Sequence, residues 1–449
     1  MSQPAEAGGP TRTSSSARDQ VGRSMLMRLG VIPVAGACGL LTARVVVSAI
    51  GVSGYGIAAL VATLPALLPS ADLGVGAAVT SAVAAGGSKD DVFRVVLASL
   101  RVLLVIAGVL VVLAVTLATM SMWSVLLGLP STPSTNWAIG ASVALFGLSL
   151  PLAIGARVLL GGGRNHISVL VYGLSAPVVL LLCLIGRALD AGLWLYAAAP
   201  AIASLVTGLV GCRQAMRRTA VDLGAAFRQA FHRQVKSAPI RHIAGPMAVI
   251  SACLPLAYQS DRLVLSHVST VTELAIYSAG AAMFAPLLSV ISSGGQSLWP
   301  IFVRARLRSP ESDVRRPFLR AVVAFVSLGL ASGLALVVFG PWLGTWMLRS
   351  QLSVPVSLMA SLGLLLVAQA SCYPPGMLLT DPAGLRFQAK TASAMLLLNI
   401  PLSVLLASHL GAPGPVLGSV ISIAVCLWLP GMLMSLRRLR RPTMEMINV

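Results

Sequence analysis

Four ionisable side chains lie inside long apolar stretches of this sequence, where they could do chemistry. Arg44 and Arg262 are cationic, whereas Asp72 and Asp261 are carboxylates. A charge in hydrocarbon is costly, so residues of this kind usually face the interior of a helical bundle or a water-filled cavity. A guanidinium stays charged and its planar fork pairs with phosphate oxygens, so the two arginines suit a diphosphate ligand. The other interpretation of Arg44 is that its long side chain reaches the membrane interface.

Asp261 and Arg262 are adjacent in the sequence, which limits what they can do together. On a helix their side chains diverge by about 100°, so we expect only one of them on a given cavity wall. We favour Arg262 as the counterpart of Arg44, with Asp261 as a counter-charge reached through another helix. Alternatively, the pair marks the interfacial end of a slightly shorter helix.

Asp72 and two glutamines complete the predicted substrate-binding set. Asp72 could be a proton-linked group, a salt-bridge partner of Arg44, or a structural group that binds freed backbone amides at a break in its helix. Gln259 and Gln296 suit both hydrogen bonds between helices and a sugar-lined cavity, and the sequence does not separate the two. The predicted substrate-binding residues are therefore Arg44, Arg262, Asp72, Asp261, Gln259 and Gln296.

Catalytic and metal-binding patterns are absent from the sequence. It has no paired carboxylates, no Ser/His/Asp set and no phosphate-binding glycine motif. The 6 cysteines are far apart and show no ligand spacing, so we interpret them as small core hydrophobes. We therefore predict neither an enzyme nor a cofactor or metal.

The elements that must position these residues are membrane-spanning helices. Of the 449 residues, 57% are hydrophobic and only 10% are charged, whereas soluble domains carry roughly 25% charged residues. Apolar runs of about 20 residues then become spanning helices. We predict an all-α integral membrane protein with spans at roughly 25–50, 56–85, 92–118, 137–160, 167–187, 192–212, 243–267, 274–303, 318–340, 355–379, 391–409 and 414–436.

The basic residues indicate how these helices are oriented. The formal net charge is +19, but the 32 arginines and lysines occur in short clusters between apolar runs, which does not favour nucleic-acid binding. All except Arg44, Arg187, Arg262 and Arg349 lie on one side of the predicted bundle, in the tails, in alternate loops or in the adjoining parts of the spans. Cytoplasmic loops carry such an excess, so we expect both termini in the cytoplasm.

The longest basic connection divides the predicted spans into six and six. We predict a disordered cytoplasmic tail (1–24), an N-terminal six-helix bundle (25–212), a basic cytoplasmic linker (213–242), a C-terminal six-helix bundle (243–436) and a cytoplasmic tail (437–449). Within the linker, an amphipathic stretch near 223–231 is typical of a helix on the inner membrane surface. Arg44 and Arg262 occupy similar positions in the two halves, which favours a parallel internal repeat.

Several short motifs resemble the polysaccharide transport family of the multidrug/oligosaccharidyl-lipid/polysaccharide exporter superfamily. They are, in order, Gly54-Tyr55-Gly56-Ile57, Ala71-Asp72-Leu73-Gly74, Asp261-Arg262-Leu263, Leu298-Trp299-Pro300 and the turn Leu410-Gly411-Ala412-Pro413-Gly414. The resemblance implies two six-helix bundles in a V shape around a central cavity. Arg44 and Arg262 would then face each other across the outer part of that cavity.

The resemblance also implies a function, namely flipping of an undecaprenyl-diphosphate-linked oligosaccharide across a bacterial plasma membrane by alternating access. The expected partners are that lipid-linked oligosaccharide, membrane lipids and polysaccharide polymerase machinery, and we expect a monomer. One alternative is a cation-coupled multidrug antiporter of the same superfamily, although acidic residues are scarce in the spans. A membrane glycan polymerase or ligase is disfavoured because the longest outer loop, near 118–136, carries no Arg, His, Asp or Glu.

Overall fold

The computed structural model describes residues 13–67, 75–84, 88–230, 245–308 and 311–439, and these are almost entirely helical. They contain 10 segments long and apolar enough to cross a membrane. These segments correspond to ten of the twelve predicted spans, all but the second and seventh. Of the second, the structure describes the part of α1 after Gly51 and the short helices Leu64–Leu67 and Val75–Ala84, and residues 68–74 lie outside the described ranges. The seventh is a helix of 24 residues at Gly245–Val268. The chain is thus an all-α integral membrane protein with two six-helix bundles.

The N-terminal bundle, here called the N-lobe, holds eleven helices that make up the first six spans and part of the linker. They are α1 Thr13–Val61, α2 Leu64–Leu67, α3 Val75–Ala84, α4 Lys89–Thr119, α5 Met122–Leu126, α6 Pro133–Ser149, α7 Ile154–Gly161, α8 Asn165–Gly173, α9 Ser175–Ala188, α10 Leu193–Arg218 and α11 Leu223–Ala230.

The C-terminal bundle, here called the C-lobe, supplies the other six spans. Its helices are α12 Gly245–Val268, α13 Val271–Arg308, α14 Glu311–Met347, α15 Val356–Leu378, α16 Pro382–Leu410, α17 Pro413–Ser422 and α18 Leu429–Arg438, with a π-helical turn at Ile423–Trp428. We call the end of the molecule that holds the turns at Gly51, Ser269 and Gly411 the distal end. The opposite end, where α18 finishes, is the proximal end.

Gly51 joins the first two spans without a loop. Its φ of 74° and ψ of 176° interrupt α1, and a side chain would be strained in this left-handed conformation. Residues on both sides of Gly51, including Ala43 and Ala58, line one cavity, so the chain turns back on itself here. The second span therefore begins at Val52, a few residues earlier than the predicted 56.

Three predicted boundaries differ from the structure. Residues 13–24 are helical, so the predicted disordered tail does not extend over them, whereas residues 1–12 lie outside the described ranges. Helix α10 runs to Arg218 and α18 to Arg438, each beyond the predicted end of its bundle. The amphipathic stretch does form a helix, α11, but it packs on the N-lobe through the buried residues Leu223 and Ala226.

The apolar core shows where the lobes meet. One large cluster of buried side chains contains residues of both lobes, among them Val47 and Leu60 with Leu265 and Leu274. Two further clusters are each confined to one lobe, and both lie towards the proximal end, around Leu159 in the N-lobe and Phe318 in the C-lobe. In the described part of the chain the lobes are therefore joined in the distal half and form separate cores in the proximal half.

Candidate functional site

Arg44 reaches from α1 of the N-lobe to the distal end of α14 in the C-lobe. Its Nη1 donates a hydrogen bond to the backbone oxygen of Trp346. Its guanidinium also stacks on the Trp346 ring, with Cζ 4.4 Å from the ring centroid, which is a favourable cation–π geometry. Arg44 lines none of the cavities described below, so the structure does not bring it to one cavity wall with Arg262, and its predicted role in substrate binding stays a prediction.

Arg262 reaches in the opposite direction, from α12 of the C-lobe to the N-lobe. Its Nη1 donates to the backbone oxygen of Ala59 at 3.4 Å, and its Cζ lies 5.9 Å from the centroid of the Tyr277 ring. Unlike Arg44, it lines a cavity of about 410 Å³, here called the C-lobe cavity. A predicted substrate-binding arginine therefore does lie on a cavity wall at the lobe interface.

Asp261 lies on the same cavity wall as Arg262, although the sequence predicted that only one of them would. It is only 1% exposed and accepts hydrogen bonds from Tyr277 Oη (3.3 Å), Ser403 Oγ (3.4 Å) and Ser419 Oγ (3.3 Å). These hydroxyls come from α13, α16 and α17. The sequence predicted Asp261 as a counter-charge for Arg262 through another helix, and the hydrogen-bond donors that the structure gives Asp261 are these hydroxyls, as a buried carboxylate requires.

Two further cavities adjoin the C-lobe cavity. One of about 400 Å³, here called the N-lobe cavity, lies between α1, α9 and α10 and meets the C-lobe cavity at Ala62. Its wall carries no charged residue and consists of small residues with the hydroxyls of Thr42, Ser175, Tyr55, Tyr172 and Tyr196. The other, of about 210 Å³, shares Tyr258 and Gln369 with the C-lobe cavity and extends towards Gln388 near the proximal end.

The other predicted site residues lie in different surroundings. Gln259 lines the C-lobe cavity, whereas Gln296 is exposed on α13 and lines none of the cavities described here. Asp72 lies outside the described residues. No group of three or more His, Cys, Asp or Glu that could hold a metal ion occurs in the described ranges.

Sequence reasoning missed the hydroxyl groups around Asp261. Asn399 and Ser403 are four residues apart on α16, so they share a helix face, and this spacing was a usable signal. Asn399 donates to the Ala257 oxygen at 2.8 Å, and its Oδ1 lies 3.1 Å from Ser419 Oγ, where it competes with Asp261 for the one hydroxyl hydrogen. The backbone acceptors of the two arginines leave no trace in the sequence.

Solved structures similar to this chain show which fold it has. An inward-facing multidrug resistance MATE family transporter of the MOP superfamily is 17% identical, with 92% of this chain and 98% of that chain covered and a TM-score of 0.68. An outward-facing transporter of that family is 14% identical, with 97% and 100% covered and a TM-score of 0.61. The MATE transporter VcmN of Vibrio cholerae in its bent form is 18% identical, with 95% and 98% covered and a TM-score of 0.55. This chain is thus a multi-pass membrane protein with the two-lobe, twelve-span fold of these transporters.

The family follows from the sequence comparison. A family model described as polysaccharide biosynthesis protein matches residues 32–306, which is more than half of the chain. The chain belongs to this family, as its motifs indicated. None of the curated protein sequences compared with it matches.

Proposed function

We propose that this protein exports a lipid-linked oligosaccharide, carried on a diphosphate, for the synthesis of a cell-surface polysaccharide. The observation that carries the proposal is the pair of cavities that meet at Ala62. One presents the Arg262 guanidinium and suits a diphosphate, and the other presents uncharged hydroxyls and tyrosine rings and suits a sugar. The family of the chain supports this assignment.

The substrate's charge explains why an arginine belongs in the cavity. A diphosphate that enters a low-dielectric interior without a counter-charge would incur a penalty of several kcal/mol. Arg262 supplies a charge that stays positive and a fork that matches phosphate oxygens, while its carbonyl contact at 3.4 Å is long and weakly held. A diphosphate in the C-lobe cavity would therefore compete with the Ala59 oxygen for the guanidinium. Gln259 and Gln369 on the same wall offer further donors and acceptors.

The positions of the lobes suit uptake from the proximal side. The shared core joins the lobes in the distal half, and their proximal cores are separate, so a substrate could enter between the lobes on that side. The excess of basic residues in the proximal loops favours a cytoplasmic proximal end. With that orientation, we take this structure as the inward-facing state of an alternating-access cycle, in which the substrate enters from the inner leaflet.

The test measures how the rate of transport depends on the charge of the substrate. Purified protein in liposomes is supplied with one glycan attached to an isoprenoid through a diphosphate, a monophosphate or an uncharged linkage. We expect transport in that order of preference, and we expect Arg262→Gln to abolish the preference for the diphosphate. Arg187→Gln is the matched control, because Arg187 binds Ser48 within the N-lobe and lines no cavity described here. Equal transport of all three lipids by the parent protein would reject the proposal.

Asp261 favours a second candidate, a cation-coupled multidrug antiporter. A buried carboxylate on a cavity wall can hold a proton or bind a cation, and the cavity shared through Tyr258 and Gln369 provides a route towards the proximal end. This candidate predicts efflux of cationic dyes driven by a proton or sodium gradient. It also predicts that Asp261→Asn abolishes this efflux. Dye efflux without transport of any glycolipid would favour the antiporter over the exporter.

A further inference from the structure

Both arginines make a contact that substrate binding does not require. Each binds a backbone oxygen at the C-terminal end of a helix in the opposite lobe. Trp346 is the penultimate residue of α14, which ends at Met347, and Ala59 lies in the last turn of α1, which ends at Val61. The last carbonyls of a helix lack partners within the helix and carry the negative end of its dipole. A guanidinium is therefore a favourable partner at both places.

The local hydrogen bonds show that the two oxygens are available. The N–H of Thr63 would be the ordinary partner of the Ala59 oxygen, but it bonds to Leu60 instead at 3.0 Å. The Trp346 oxygen accepts from the Arg349 N–H at 3.2 Å and keeps a lone pair for Arg44. Arg262 thus supplies the Ala59 oxygen with a partner in place of the Thr63 N–H, and Arg44 adds a second hydrogen bond to the Trp346 oxygen.

Close backbone approaches surround the two contacts. A Cβ atom on Gly56 would lie 2.9 Å from the Val271 oxygen, and one on Gly128 would lie 2.5 Å from the Ser266 oxygen. Both glycines belong to the N-lobe and both oxygens to the C-lobe, so the lobes touch through backbone at the distal end. The arginine contacts therefore join surfaces of the two lobes that already pack closely.

We propose that Arg44 and Arg262 act as an interlobe arginine pair that keeps the distal end closed. Each arginine binds the C-terminal end of one helix in the opposite lobe. Opening the distal end must break both contacts and leave both helix ends uncapped. The pair therefore sets how strongly the resting protein favours the state that is open at the proximal end. This role does not depend on the substrate and would apply equally to an exporter of glycolipids or of drugs.

The test measures the distance between the lobes without any substrate. Spin labels are attached to cysteines introduced at Thr119 and Gln351, which are exposed at the distal ends of the N-lobe and the C-lobe. The background variant has all six native cysteines replaced, and the protein is reconstituted in nanodiscs. We expect a single short distance in the parent, and a second, longer population in Arg44→Ala and in Arg262→Ala. Arg44→Lys should show a smaller long-distance population, because lysine keeps the charge at the helix end but loses the planar stack.

Arg187→Ala is the matched control for charge and position. Arg187 is also a distal arginine of the N-lobe, but its Nη1 donates to Ser48 Oγ at 2.8 Å within the same lobe, so its removal should leave the distance unchanged. Should the arginine variants fail to fold, Trp346→Leu removes the stacked ring and retains the backbone oxygen, and it should also lengthen the distance. Unchanged distances in both alanine variants, or in Trp346→Leu, would overturn the proposal.

Discussion

Asp381 joins the ends of two helices in the C-lobe at the proximal end. One carboxylate oxygen accepts from the Gly384 N–H at 3.2 Å and caps α16, and the other pairs with Arg438 at the end of α18. Partial burial alone would raise the pKa of Asp381, but the hydrogen bond from Arg438 and the Gly384 N–H outweigh it and hold this pKa below its ordinary value of 3.8. The ionised carboxylate therefore stabilises the folded protein.

The charge of Asp381 should matter for stability in a pH-dependent way. Because the folded pKa is depressed, its contribution is fully present above pH 3.8 and is lost as the pH falls through the lower folded value. We expect Asp381→Asn, which keeps a good capping side chain, to lower the melting temperature at pH 7 by an amount that corresponds to at most about 1 kcal/mol. The difference from the parent should shrink on acidification. A difference that is constant between pH 7 and pH 3 would contradict this account.

Asp261 shows how far a single residue could be interpreted from the sequence. Its charge within an apolar stretch was sufficient to identify it as a residue of the interior. The sequence assigned it a cation as partner, however, because adjacent charges suggest ion pairs. The structure satisfies it with Tyr277, Ser403 and Ser419 instead. Hydroxyl groups are common in membrane helices, and only tertiary packing determines which of them converge on one carboxylate.

At the scale of elements, Gly411 explains why the turn motif before the last span has its composition. Its φ of 65° and ψ of −139° lie in a region that side chains rarely adopt. The turn places the Ala412 N–H 2.9 Å from Glu273 Oε2, so the carboxylate of α13 satisfies the start of α17. Gly414 is equally constrained, because a Cβ there would lie 2.2 Å from the Leu406 oxygen. The glycines of this motif therefore allow α17 to begin close to α13 and α16.

Gly411→Ala should destabilise the C-lobe by at least about 1 kcal/mol, since the backbone conformation would be strained. The new Cβ would also lie 2.9 Å from Glu273 Oε2 and disturb the capping contact. Thermal unfolding in detergent measures the loss. Gly108→Ala is the control, because no atom lies within 4 Å of the added Cβ and alanine favours a helix over glycine. Equal melting temperatures for the Gly411 variant and the parent would contradict the prediction.

The spans themselves were mostly predictable, and the exceptions have physical reasons. Ten of the apolar runs were long enough for their helices to be recognised from hydropathy alone. A break in the second span near Asp72 was one interpretation of the sequence, and it stays a prediction because residues 68–74 lie outside the described ranges. The joint at Gly51 was also missed, since a glycine before an apolar run indicates a turn without giving its length. Apolar periodicity reports burial and does not report such breaks.

At the scale of the whole molecule, the sequence predicted two bundles and their V-shaped arrangement through the family resemblance. It could not predict which end of the V is closed. Closure depends on contacts between backbone groups, such as Gly56 with the Val271 oxygen, and on which carbonyl each arginine reaches. These contacts are weak individually, and alternating access requires that they can be broken. The same sequence must adopt both states of such a cycle, and the structure describes one of these states.

The closed distal end can be tested by locking it. A Cβ on Gly56 would lie 3.3 Å from the Ala275 Cβ across the lobe interface, and disulfides join Cβ atoms about 3.5–4.5 Å apart. Cysteines at these two positions should therefore form a disulfide once a small backbone shift relieves the 2.9 Å approach of the new Cβ of residue 56 to the Val271 oxygen. Oxidation should abolish transport, because the distal end could no longer open, and a reductant should restore it. The cysteine-free background excludes bonds to the native thiols.

A second pair separates locking from the effect of any disulfide. A Cβ on Gly147 would lie 3.1 Å from the Leu110 Cβ, a similar distance, but α6 and α4 both belong to the N-lobe. Cysteines there should also cross-link on oxidation, yet transport should continue, since each lobe moves as one body in this account. Transport by the fully cross-linked Gly56→Cys, Ala275→Cys protein would show that the distal contact does not open. Loss of transport by the cross-linked control would instead show that movement within a lobe is part of the cycle.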